Sequence, residues 1–240
     1  MRSICLNVDL GEGFKNDLAL LKYAMSVNVA CGWHAGDASM MRAVTKAALK
    51  RGIAVGAHPS YPDREYFGRR SMNLPYDEIY AGVQYQIGVL SGIVRAMGGR
   101  LSHVKPHGAL YNDAEYSREV ARAIVFAVRD FNPRLVLYGL AGGQLVAIAR
   151  EQGIHAWDEV FADRRYTATG ELIDRDTPGA VIADIEEVVR RAEELASTGE
   201  VQLNTGRQIR LPAQTLCLHG DGENAVTFAR AIHAVLQHKW

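Results

Sequence analysis

The stretch VKPHGAL, residues 104–110, sets a lysine and a histidine two positions apart in what otherwise reads as a buried strand. Alternate residues of a strand share a face, so Lys105 and His107 project together while Val104 and Pro106 turn the other way. A lysine in an apolar strand is rarely buried without a partner. Comparable residues stand at the ends of other strand-like runs: Asp9 and Glu12, His34 after Gly32-Trp33, His58, Glu159 through Asp163, and His219 with Asp221. Of the strand candidates only RLVLYG, ending at Gly139, delivers no ionisable group. In parallel α/β folds the functional crevice lies at the carboxyl ends of the strands. These residues therefore read as one pocket rim, with Lys105 and His107 aimed into it.

Plainer roles exist for some of them. Asp9 could cap the turn at Gly11, and Asp37 could be the N-cap of the helix that follows. His103, His155, His233 and His238 fall outside the pattern and read as structural or surface residues. Asp9, His34 and His58 come from three different strands, so they are the candidate ligands of a divalent metal, although no H-E-x-x-H spacing supports one. The loop HPSYPDREYFGRR (58–70) carries Arg69-Arg70, a pair suited to clamping a carboxylate or phosphate. FADRRYTATGELIDRD (161–176) reads as a long lid-like loop, with Asp163 and Arg164 where it would meet the pocket.

The elements that must position these residues alternate regularly. Strand-like runs at 4–11, 27–32, 53–58, 102–107, 134–139, 156–162 and 215–220 are separated by helical patterns. One pattern is Ile79, Val83, Ile87, Leu90, Val94 and Met97; another is Val181, Ile185, Val188, Ala192 and Leu195. Such alternation implies a parallel sheet with crossover helices and near-continuous apolar strands. The segment GEVQLNTGRQIRLP (199–212) breaks the rhythm and reads as an inserted hairpin turning at Asn204-Thr205-Gly206. An open sheet binding a dinucleotide would show a glycine-rich first turn, but GEGFKND lacks the third glycine, and no G-x-x-x-x-G-K-[ST] occurs. A closed barrel is the better expectation, formed by one domain over 1–240 because no linker divides the chain.

The 240 residues are 48% hydrophobic and 22% charged, enough for one large core and too apolar for disorder. The 27 basic and 27 acidic side chains cancel, which gives no electrostatic reason for nucleic acid or an anionic membrane as partner. Asn7 and Asp9 interrupt the N-terminal apolar run, so no signal peptide is expected, and no stretch is long enough for a membrane span. Cys5, Cys31 and Cys217 are far apart and among strand-like neighbours, as expected of buried reduced thiols in a cytoplasmic protein.

The stretches NVDLGEGF, NVACGWHAGDASM, GAHPSYPD…FGRR, VKPHGALYN, EVFADRRYTATGELIDR and LCLHGD, in this order from residue 4 to residue 222, resemble the LamB/YcsF family, whose characterised activity is that of the A component of 5-oxoprolinase. Trp33, Ser60 and Tyr66 depart from the family's usual residues; the ionisable ones all match. The resemblance implies an irregular seven-stranded (β/α) barrel of the glycoside hydrolase/deacetylase type. It implies ATP-dependent opening of 5-oxo-L-proline to L-glutamate, with partner subunits B and C that phosphorylate the lactam oxygen. On that reading Asp9, with Glu12 as substitute, is the base on water, and Lys105 and His107 stabilise the oxyanion or its phosphate. His34 and His58 bind phosphate or a metal, Arg70 holds the substrate carboxylate, and Asn112, Asp163 and His219 complete the substrate-binding set. The competing expectations are a metal-dependent amidase or carbohydrate deacetylase acting alone, and a non-catalytic component that only carries substrate.

Overall fold

Strand β1 (Cys5–Leu10) alternates Leu6, Val8 and Leu10 with Cys5, Asn7 and Asp9, and this alternation sets the architecture. The apolar set packs outward against helices, while Asn7 bonds to residues of several other strands, which only a closed barrel allows. A computed structural model describes residues 4–218 and 224–237. Strands β2 (Ser26–Ala30), β3 (Ala54–His58), β4 (His103–Val104), β5 (Val136–Leu140) and β6 (Ala156–Phe161) follow β1 around the barrel. After the two-stranded antiparallel pair β7 (Glu200–Gln202) and β8 (Gln208–Arg210), strand β9 (Thr215–Leu218) closes it between β6 and β1. Every neighbour in this seven-stranded ring is parallel. The barrel and the inserted hairpin are as expected, and Gly206, at φ +81°, supplies the left-handed residue of its turn.

Helices α1 (Asp17–Leu20), α2 (Ala38–Leu49), α3 (Tyr76–Ala96), α4 (Gly108–Tyr116), α5 (Arg118–Phe131), α6 (Gln144–Glu151), α7 (Ile185–Ser197) and α8 (Ala225–Gln237) complete the chain. The predicted stripe on α3 is buried from Ile79 to Val94, as a core-facing helix requires. Helix α7 starts at Ile185, not at Val181, because Asp184 accepts from Glu187 N at 2.9 Å and caps it. Asp37 is the N-cap of α2, accepting from Met40 N at 2.8 Å, so the capping reading of that residue holds. No helix among the described residues is long and apolar enough to cross a membrane.

The strands are not near-continuously apolar. Their inward positions are polar, because the barrel interior is a hydrogen-bonded network instead of the usual layers of branched residues. Asp9 lies beside Asn28, Asn28 beside Gly56, and Gly56 beside His103 in the strand register. Asn28 Nδ2 donates to Asp9 Oδ1 (2.8 Å) and Asn7 Oδ1 (2.7 Å), and its Oδ1 accepts from His103 Nε2 (2.8 Å). Gly56 leaves the space the His103 ring occupies, since a Cβ there would fall within the imidazole. His103 also stacks on Tyr138 at 4.2 Å between centroids.

His103 is fully buried and its Nδ1 has no hydrogen-bond partner, so the ring has nowhere to place a second proton. Burial, reinforced by the Lys105 charge, pushes its pKa down to about 3. The unfolded chain takes up a proton near pH 6.5 that the folded chain refuses, so His103 supports stability above that pH and the support is lost as pH falls below it. In urea melts between pH 6.5 and 4, the His103→Gln protein should show a stability-versus-pH slope smaller by about 1.4 kcal/mol per pH unit, one proton's worth. An unchanged slope would mean that His103 is protonated in the native barrel.

Candidate active site

The strand ends deliver their side chains to one cavity of about 570 Å³, lined among others by Asp9, His58, Lys105, His107, Arg69 and Arg164. Strand β4 ends at Val104, earlier than the sequence implied, since Pro106 cannot donate to a ladder. The parallel pattern nevertheless runs on: Lys105 N donates to Ala57 O (2.9 Å) and His107 N to Pro59 O (2.8 Å). His103, Lys105 and His107 therefore keep one facing, and Gly108, at φ +56°, turns the chain into α4 directly against the Gly68 carbonyl.

Lys105 is buried between two acids. Its Nζ lies 3.0 Å from Asp9 Oδ1, 3.0 Å from Glu159 Oε1 and 2.9 Å from Cys217 Sγ, with Asn7 Oδ1 at 3.4 Å. An ammonium has three donors, so this one is fully committed. Burial alone would lower its pKa; Asp9 first, with Cys217 and Glu159 also against the ammonium, outweighs burial and holds it well above the ordinary lysine value. The geometry thus fixes a protonated Lys105 against an oriented Asp9. Glu159 Oε2 and the Tyr111 hydroxyl, both buried, have no hydrogen-bond partner.

Beside Asp9 stand four further groups. One ligating atom from each of Glu12, His34, His58 and His107 lies within 4.8 Å of the others. Glu12 Oε1 is 3.3 Å from His34 Nε2, 3.5 Å from His107 Nδ1 and 3.9 Å from His58 Nε2. Glu12 is set by the turn Gly11-Glu12-Gly13, whose glycines have φ +76° and +92° and donate their N–H to Asp17 Oδ2 (3.0 and 3.4 Å). His34 sits on a loop whose carbonyls at Gly32 and Gly36 accept from the Arg64 guanidinium (2.8 and 3.0 Å). The segment after His58 is clamped by buried Gln86 of α3, which bonds both Ser60 N (3.0 Å) and Ser60 O (2.9 Å).

These groups suit a divalent cation. His58 Nδ1 and His107 Nε2 must donate, because their partners, Lys105 O (2.7 Å) and Phe67 O (2.8 Å), are carbonyls. That leaves His58 Nε2 and His107 Nδ1, 3.0 Å apart, as two lone pairs facing each other. Such a pair is repulsive until a proton or a cation lies between them. A proton is disfavoured, since burial and then the neighbouring imidazoles hold His34 and His107 well below the ordinary histidine value. Three buried carboxyl groups, Asp9, Glu12 and Glu159, stand against the single amine of Lys105, an acidic surplus that suits a divalent ion. Metal-ligating imidazoles are usually oriented in this way, by a carbonyl that accepts from the ring nitrogen facing away from the ion. Of the three residues singled out as ligands from sequence, the structure brings His34 and His58 into this cluster. Asp9 stands beside it, its Oδ2 3.4 Å from His58 Nε2, and its carboxylate also pairs with Lys105.

Phe67 is the one described residue other than glycine with positive φ, +56°. That conformation is unfavourable by roughly 1–2 kcal/mol, yet it aims the Phe67 carbonyl at His107. The ring is held between Phe14 and the imidazoles of His34 and His107. Sequence reasoning missed Phe67, since no local pattern marks it. It also passed over Asn7 and Asn28, although an amide within an apolar strand is the same anomaly as Lys105.

The remaining expected residues divide. Asn112 lines the cavity. Asp163 is buried and is not among the lining residues, whereas Arg164 is. Arg70 does not line it either: its Nη2 is 2.7 Å from Asp63 Oδ1 and its guanidinium stacks on Tyr66. His219 and Asp221 lie outside the described residues. The 161–176 loop does meet the cavity, with Leu172, Ile173 and Asp174 in its wall, and two bridges, Arg164 to Val181 and Tyr166 to Leu172, give it shape.

Among solved structures, a lactam utilization protein from Thermus thermophilus is 40% identical over 100% of this chain and 97% of its own, with a TM-score of 0.92. A family 4 carbohydrate esterase from Streptomyces lividans, crystallised with acetate, shares the fold at a TM-score of 0.54 and 13% identity, covering 99% of this chain and 89% of its own. The irregular seven-stranded (β/α) barrel is thus the fold this chain shares with that esterase. The LamB/YcsF family model matches residues 4–240, so the chain belongs to the LamB/YcsF family.

Proposed function

We propose that the chain is the A component of a 5-oxoprolinase, opening the lactam of 5-oxo-L-proline to L-glutamate in a cytoplasmic, ATP-dependent enzyme with partner subunits B and C. The observation that carries this reading is the Asp9 carboxylate, locked by Lys105 at the edge of a cavity of about 570 Å³, in a family member 40% identical to a lactam utilization protein.

A lactam is a resonance-stabilised amide, so its hydrolysis needs an activated carbonyl, an activated water and a protonated leaving nitrogen. Asp9 is the base: it takes a proton from water as the oxygen bonds to the ring carbonyl carbon. As the C–N bond breaks, the same carboxylic acid returns that proton to the nitrogen. Lys105 has no donor to spare for substrate, so it acts on Asp9, holding the carboxylate ionised and turned to one side. Glu12, His34, His58 and His107 would hold a divalent cation, which when bound polarises a carbonyl and acidifies water. ATP serves in the partner subunits: its γ-phosphoryl passes to the lactam oxygen with release of ADP and makes the ring carbon electrophilic. C–N cleavage then leaves a γ-glutamyl phosphate, whose carbonyl carbon a second water attacks to release inorganic phosphate and L-glutamate. The chain itself has no P-loop sequence.

A second reading, a metal-dependent amidase acting without partners, draws on the same four-residue cluster. Partner dependence separates the two. Hydrolysis of 5-oxoproline should require ATP and the partner subunits; ATP-independent amide hydrolysis by the chain alone would favour the second reading.

Asp9→Asn keeps the shape and the contact to Lys105, so it should fold normally while lowering kcat of the assembled enzyme about 10²- to 10⁴-fold. Lys105→Ala leaves Asp9 and Glu159 buried without their cation, so it should lose activity and about 3–5 kcal/mol of stability in urea melts. Near-normal turnover in either variant would remove Asp9 and Lys105 from the mechanism. Elemental analysis of the purified chain should find about one divalent ion per chain, removed by chelator and reduced in Glu12→Gln and His107→Ala. Equal metal content in all three proteins would exclude the cluster as the site.

A further inference from the structure

The cavity wall contains a guanidinium that the steps above leave unused. Arg164, just beyond β6, is only 8% exposed and yet lines the cavity. Its Nη2 donates to Ile173 O at 2.7 Å, and its Nε is buried without a hydrogen-bond partner. A guanidinium presents five donors in a planar fork and stays charged. Burial disfavours that charge, which Asp163 and Asp174 partly offset and Arg175 opposes. A buried guanidinium at a cavity wall is unfavourable until an anion meets its fork from the cavity side.

The surrounding chain is built to keep it there. Arg191 of α7, 1% exposed, donates to the carbonyls of Ala162 (3.1 Å), Arg164 (2.7 Å) and Gln202 (3.0 Å). Ile182 N donates to Asp163 O (2.8 Å), and Phe161 N to the buried Tyr166 hydroxyl (2.7 Å). A second buried arginine thus fixes the backbone from which the first projects. Arg70, the residue the sequence suggested for a carboxylate, is engaged by Asp63, and Arg69 is exposed on the rim.

We propose that Arg164 is the carboxylate-binding residue of the cavity, gripping the ring carboxylate of the lactam acid and, through Ile173, tying the 161–176 loop to the occupied site. This rests on the functional reading above for the identity of the acid. It makes Arg164 a specificity residue that separates lactam acids from neutral lactams.

Calorimetry on the full chain tests it with 5-oxoproline, its carboxamide and glutarate as ligands. The wild type should prefer the acid to the amide by about 10- to 100-fold, the range of a charge-assisted hydrogen bond. R164Q should lose that preference while binding the amide as before, R164K should keep part of it, and R69Q should keep all of it. Thermal melts and circular dichroism establish that R164Q is folded, and R164K supplies the reading if it is not. A preference that survives in R164Q overturns the assignment to Arg164 and leaves the functional reading standing. If the wild type binds no lactam, the functional reading fails, and the arginine is judged on glutarate: lost binding in R164Q retains it as a carboxylate site, while equal binding, or none in the wild type, overturns it.

Discussion

The ammonium of Lys105 between Asp9 and Glu159 is the contact on which the site depends. Desolvating three charges is unfavourable by several kcal/mol for each ion unless every donor and acceptor is met. Here Asn7 and Asn28 meet most of the remaining positions, with Glu159 Oε2 left over, and Asn7 Nδ2 reaches Glu159 Oε1 at 2.9 Å and Thr215 Oγ1 at 2.7 Å. Polar groups from β1, β2, β4, β6 and β9 are therefore joined across the barrel. Apolar packing lies outside the strands, in the layer shared with the helices, so the interior is left for chemistry. A network joined in this way holds Asp9 in one orientation without any loop closing over it.

The second constraint is charge balance. Three carboxyl groups and one amine lie within a few ångströms of the imidazoles, and the Glu12 carboxyl stands where His58 Nε2 and His107 Nδ1 face each other. The local backbone pays for this placement with a left-handed Phe67 and with Gly68, whose missing side chain lets the His34 Cβ and the His107 ring approach to about 3 Å of where a Cβ would stand. Strain at such a position is a mark of sites whose groups must be held in one place.

Much of this is legible in the sequence, and the rest is not for identifiable reasons. Strand–helix alternation points to the barrel, because both period-two and helical apolar patterns are local. Lys105 and His107 stand out because polar groups on an apolar strand have no packing role. What local patterns cannot report is which partners meet across the barrel. From sequence Glu12 is only a substitute for Asp9, yet the Gly11–Gly13 turn aims it at the histidines while Lys105 takes Asp9. Arg70 and Arg164 look alike as members of Arg-Arg or Asp-Arg pairs; burial alone distinguishes the one turned to Asp63 from the one facing the cavity.

A crystal structure of the chain with 5-oxoproline is the most direct measurement of the central claim, that the lysine-held carboxylate is the base for opening a lactam. The account predicts the ring carbonyl carbon within reach of a water that touches Asp9 Oδ2, with the reacting atoms roughly 3–3.5 Å apart. A lactam bound in the cavity with its carbonyl turned away from Asp9 and closer to another titratable group would contradict it.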